Sequence, residues 1–142
     1  MEARLQRRVQ RYGWNKAAAH YESFWSEQLQ PAQDLMLALA ALRPGERVLD
    51  IACGTGTVML QLSRDMGKSV YGCDISDLLL ARARDKGLAS DRLFQEDATK
   101  MSFADKRFEH SYSIGSLEHF TEDGIDRMLE EAARVTRQGI TI

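Results

Sequence analysis

Long apolar runs are missing from this chain of 142 residues: no stretch approaches the roughly 18 residues that a membrane-spanning helix needs. Nor does a basic segment followed by an apolar one open the chain, so no secretory leader is expected. Cysteine is scarce, with Cys53 and Cys73 the two present, which excludes a disulfide scaffold and suits a reduced, cytoplasmic protein. These two leave no second pair, and none of His20, His110 and His119 has a partner at ligand spacing, so no metal centre is expected. An excess of either charge is lacking too. A net charge of −2 gives no general attraction to phosphate, and nucleic acid is not the expected partner. No repeat or low-complexity tract is visible. A 44% hydrophobic and 28% charged composition is that of one ordinary globular domain, and a chain of this length buries a single core.

Proline is equally rare, and the first turn-rich break comes only at Arg43-Pro44-Gly45. The chain therefore divides into a helical cap over 1–44 and an α/β domain over 45–142. Within the cap, Arg4, Arg7, Arg8 and Arg11 recur at helical spacing opposite Leu5 and Val9. Such a basic stripe reads as a solvated helix face, with an RNA contact as the alternative. A second helix is predicted over 15–28, ending before Pro31 and carrying Tyr21, Phe24 and Trp25. A third is predicted over 34–42, with Leu35, Leu39 and Leu42 on its apolar side.

What the domain does contain is Val48-Leu49-Asp50-Ile51-Ala52-Cys53-Gly54-Thr55-Gly56-Thr57, an apolar run that breaks into an acid and then two glycines one residue apart. Strand, tight loop and helix follow in that order. Glycine allows positive φ and bare backbone N–H groups against a ligand, and the next helix N-terminus offers unpaired donors. A second acid, Asp74, closes the next apolar run at about the distance where a βαβ unit sets a carboxylate on ribose hydroxyls. A nicotinamide fingerprint starting at Gly54 would need glycine or alanine where Met59 stands.

Further on, strands over 47–51, 69–73, 92–95, 107–112 and 140–142 alternate with helices over 57–66, 76–86 and 121–137. Ser76 and Thr121 are expected N-caps. Alternation of this kind means a parallel sheet covered by helices, with ligand at the carboxyl ends of the strands, where Asp50, Asp74, Asp97 and Ser113 all fall. His110 lies inside a strand where an apolar residue is expected, and reads as a hydrogen-bonded core histidine.

Taken together, Asp50-x-Ala52-x-Gly54-x-Gly56, Asp74-Ile75, Asp97-Ala98 and the run from Phe108 to Phe120 resemble, in order, four motifs of the class I S-adenosylmethionine-dependent methyltransferase family. The likeness spans Gly45 to Gly139. It implies a Rossmann-like three-layer α/β/α sandwich with a mostly parallel sheet, S-adenosylmethionine as cofactor, and a small-molecule methyl acceptor. It further implies that Asp50, Ala52, Cys53, Gly54 and Gly56 wrap the methionine tail. Asp74 would take the ribose diol, Ile75 the adenine face, Asp97 and Ala98 the adenine amino group, and Ser113 the end of the fourth strand. In related enzymes a Tyr-bearing helix lies over the cofactor, so Tyr21 reads either as a lid residue or as core.

Methyl transfer from a sulfonium needs mainly alignment and exclusion of water, with a base only where the acceptor must lose a proton. Glu118 and His119 are the nearest candidates, and His119 reads equally as a residue that caps or packs on the next helix. The family sheet has seven strands, whereas this chain is expected to stop at the start of the fifth. That would leave an open edge able to recruit another strand, as a fragment or through pairing between chains. Two other readings stand beside the enzyme: a cofactor-binding module without turnover, and an RNA methyltransferase resting on the arginine stripe.

Overall fold

The structure, a computed structural model, describes residues 3–66 and 69–142, apart from the side chains at 3 and 21–26. Five parallel strands form one sheet in the order β3-β2-β1-β4-β5. They are β1 (Val48–Ile51), β2 (Val70–Asp74), β3 (Leu93–Gln95), β4 (Phe108–Tyr112) and β5 (Thr136–Thr141). Two helices precede the sheet, α1 (Ala3–Ala17) and α2 (Tyr21–Ala40), and three are interleaved with it: α3 (Thr57–Met66), α4 (Asp77–Asp85) and α5 (Glu122–Val135). Chain order reverses between β1 and β4, so a crevice opens at the carboxyl ends of those strands.

Every residue of β1 is buried, because a central parallel strand is covered on both faces. Val48 joins Met36 of α2 with Val58, Met59 and Leu62 of α3 in one layer, which also takes in Leu80 and Ala83 of α4. Leu49 and Ile51 turn the other way, onto Met128, Ala132 and Val135 of α5. This is the expected three-layer sandwich. Ser76 and Thr121 cap α4 and α5, their hydroxyls accepting from the N–H of Leu79 at 3.1 Å and of Gly124 at 3.2 Å.

Three elements differ from expectation. The preface holds two helices rather than three, broken at residues 18–20, and α2 runs straight through Pro31. Proline fits helical φ and forfeits one hydrogen bond; Pro31 lies on an exposed part of the helix, where water can serve the freed carbonyl. The side of α2 turned to the sheet carries Gln33, Met36 and Leu37, while Leu35 and Leu39 are exposed and Leu42 packs on the core beyond the helix end. Spacing alone allowed either stripe.

Strand β5 is a full six residues and takes over Thr136 and Arg137 from the predicted helix. Lys106, in the loop before β4, ends the helix: its backbone N–H donates to the Arg134 carbonyl at 2.8 Å, and its ammonium donates to the carbonyls of Ala133 and Thr136, each at 3.0 Å. Gly139 then lies opposite His110, and a Cβ there would sit 2.9 Å from the imidazole Nδ1. His110 is accordingly not a core residue. It is partly exposed, with Nε2 3.5 Å from a Glu46 carboxylate oxygen. Among the described residues no helix is long and apolar enough to cross a membrane.

Candidate cofactor and acceptor site

The crevice encloses a cavity of about 210 Å³, walled by the ends of the strands and roofed by α1. Ala52, Gly54, Asp74, Ile75, Asp97, Ala98 and His119 line it. The glycine loop and β2 are tied together by Asp74, whose two carboxylate oxygens accept the N–H groups of Gly54 and Ser76, each at 2.9 Å. Burial pushes the Asp74 carboxyl above its ordinary pKa, and those same N–H donors pull it back. Asp97 spends one oxygen locally, on the N–H of Thr99 at 2.9 Å and its hydroxyl at 2.7 Å. Its other oxygen is buried and accepts no hydrogen bond among the described residues. Arg7 stands 3.4 Å from it, near enough to offset charge but not placed to donate.

Asp50, Cys53, Gly56, Ser113 and Glu118 lie beside the cavity without lining it. Asp50 accepts the Tyr112 hydroxyl at 2.8 Å; burial first, then the charge of Asp74, raise its pKa to about 8 against the pull of Tyr112. Cys53 packs in the core, and burial drives its thiol pKa well up. Gly56 has φ +75°, and a Cβ there would meet Leu88 Cδ1 at 2.3 Å, so this glycine serves close packing of the loop on Leu88, in the segment just after α4. The Ser113 hydroxyl donates to the Ile51 carbonyl at 2.8 Å, joining β4 to β1. Glu118 is exposed, 3.7 Å from Nε2 of His119. The side chain of Tyr21 lies outside the described residues.

Sequence reading missed the roof. Gln6, Arg7, Gln10 and Trp14 of α1 line the cavity, although the stripe containing Arg7 reads as solvated. Their spacing puts them on one helical face, but nothing local says what that face meets. The helix is fastened at each strand end. Arg7 faces Asp97, the Gln10 amide donates to the carbonyl of His119, and Arg11 pairs with Asp77 at 3.3 Å. Asn15 donates to Asp77 at 3.1 Å and accepts from the Ser76 hydroxyl. Trp14 sets its ring edge-on to His119, with centroids 4.8 Å apart. Arg127 of α5 was missed as well, and it lines the cavity from the far side.

A parallel sheet of this order, with two carboxylates and a glycine loop around one crevice, defines the Rossmann-like class of nucleoside-cofactor domains. Residues 48–139 match the family model described as a methyltransferase domain. The chain belongs to this family, among the class I S-adenosylmethionine-dependent methyltransferases. It is 40% identical over 102 residues to the ubiquinone/menaquinone biosynthesis C-methyltransferase UbiE of Azotobacter vinelandii, covering 66% of this chain and 40% of that one. It is 33% identical over 126 residues to the malonyl-[acyl-carrier protein] O-methyltransferase of Pectobacterium atrosepticum, covering 89% and 48%. Among solved structures, the [4+2]-cyclase SpnF superposes with a TM-score of 0.67 at 30% identity, covering 80% of this chain and 43% of that one. The chain thus spans less than half the length of these relatives.

Proposed function

We propose that this chain binds S-adenosylmethionine in the crevice and takes part in methyl transfer to a small molecule in the cytoplasm. The observation that carries the reading is the pair of carboxylates, Asp74 and Asp97, facing one cavity across the glycine loop, with a buried oxygen of Asp97 left without a donor. An adenine amino group supplies such a donor, and a ribose diol supplies two for Asp74, whose oxygens each keep a further lone pair. When bound, the sulfonium supplies an activated methyl and leaves neutral. The chain's own work is to align and to exclude water: α1 covers the cavity, the glycine loop holds one wall, and His119 is held by Gln10 and Trp14 where an acceptor proton would be removed. Two free cysteines fit the proposed location.

The likeness to a cyclase gives one observation in favour of a second reading, in which the cofactor site serves without methyl turnover. The RNA reading loses support, since Arg7 and Arg11 of the stripe face carboxylates of this chain. Calorimetric titration with S-adenosylmethionine decides the binding step, and a methyl-release assay over a metabolite panel decides turnover. Asp74→Ala should weaken binding by about 1.5–3 kcal/mol, the scale of hydrogen bonds to a charged group. An unchanged dissociation constant removes Asp74 from the site.

A further inference from the structure

The two sides of the cavity differ in charge, and the difference bears on the acceptor; this argument rests on the cofactor reading above. On the β2–β3 side stand the acids Asp74, Glu96 and Asp97, with Lys100 as a lining cation beside them. Asp74 is held by two backbone N–H groups and Glu96 by the N–H and hydroxyl of Ser102, while Asp97 has one oxygen on Thr99 and the other, without a hydrogen bond among the described residues, near Arg7. The β4–α5 side is lined by Ile114, Ser116, Phe120 and Gly124, and there His119 and Arg127 are the titratable side chains. Among the described residues no carboxylate lines that side.

Arg127 has no ion-pair or hydrogen-bond partner among the described residues. This holds although Asp123 and Glu130 lie one turn away on the same helix, at spacings where pairs usually form. Glu131, the other acid one turn on, is held by Arg134 at 2.8 Å and also accepts the Met101 N–H. Glu118 faces His119. Arg127 is thus a cavity-lining residue whose planar fork of donors is unfilled among the described residues. It remains open to water, so an incoming anion meets a hydrated charge rather than a buried one.

We infer that the β4–α5 side receives the methyl acceptor, and that the acceptor carries a carboxylate or phosphate group which Arg127 holds. A guanidinium fork matches the two oxygens of either anion bidentately. The same contact orients the acceptor from the wall opposite Asp74 and Asp97, so its reacting atom lies between the anion and the cofactor half of the cavity.

The test uses the chain saturated with S-adenosylhomocysteine, titrated at constant ionic strength with inorganic phosphate and separately with malonate. Backbone amide resonances of Phe120 and Gly124 report binding. Saturable shifts are expected with at least one anion, and which of the two binds tells carboxylate from phosphate. Arg127→Met should weaken that binding by about tenfold or more, and Arg127→Lys should retain part of it, as the loss of one charge-assisted pair implies. Arg137→Met, on the exposed part of β5, should titrate like the wild type. Absence of a saturable shift with both anions, or the same titration in Arg127→Met, overturns the inference. If S-adenosylhomocysteine itself gives no binding heat, the cofactor reading falls. The anion titration of the ligand-free chain then decides the role of Arg127 by the same two outcomes.

Discussion

Replacing Asp50 with asparagine should make this protein more stable at neutral pH, by an amount that grows as pH rises. Asp50 is buried, and its pKa is raised from 3.8 to about 8, chiefly by loss of hydration. Between those values the unfolded chain has released the proton and the folded chain retains it. Folding therefore takes up a proton, and stability falls by about 1.4 kcal/mol for each unit of pH. From 3.8 to pH 7 the accumulated loss is on the order of 4 kcal/mol. An asparagine cannot ionise, and its amide oxygen can accept the Tyr112 hydroxyl as Asp50 does.

The expected gain at pH 7 is therefore about 2–4 kcal/mol once a new buried N–H₂ group is allowed for. Asp74 is raised too, and weakens the fold in the same direction. Asp77, Glu109 and Glu131 are lowered by Asn15, Arg47 and Arg134 respectively; their stabilising share is lost only as pH falls below the ordinary carboxylate range, outside the window of interest. Urea unfolding of both chains at pH 5, 6 and 7 measures the difference. The stability gap should widen over that range by about 2–3 kcal/mol. A gap that stays constant with pH would refute the reasoning, because it would mean Asp50 is ionised throughout. A carboxylate kept at this cost beside a ligand loop fits the usual exchange of stability for function.

Ala52 stands at φ +60°, in the left-handed region that favours glycine. Ala52→Gly should relieve about 1–2 kcal/mol of left-handed strain, partly offset by glycine's greater unfolded entropy, for a net gain of about 0.5–1 kcal/mol in thermal melts. No gain would show that the loop does not resist this conformation. Cys53 should react with maleimide about a hundredfold more slowly in the native chain than in urea, with or without S-adenosylhomocysteine, because the thiol is buried and its pKa raised. Fast native labelling would place it on an accessible surface. Strand β5 is an edge, with Ile140 and Ile142 substantially exposed, so the chain should self-associate and lysine at both positions should move sedimentation toward monomer. A wild type already monomeric at high concentration would refute that expectation.

The order of strand, glycine loop and helix, and the fall of Asp50, Asp74 and Asp97 at strand ends, were set by the sequence alone. Each depends on local patterning: apolar runs of strand length, glycines at a turn, hydroxyl caps at Ser76 and Thr121 whose bonding partners lie three residues away. The end of α5 was not local, since Lys106, thirty residues from Thr136, supplies the donors that close it. Whether Asp50 and Cys53 face ligand or core was decided by packing between layers, which sets Tyr112 and Met59 around them. The roof was tertiary in full. Arg7 belongs to a stripe that reads as solvated, and only the docking of that helix over three strand ends set Arg7, with Gln10 and Trp14, in the lining of a cavity. Contacts between residues so far apart in the chain are fixed by which surfaces meet, and no local pattern records that.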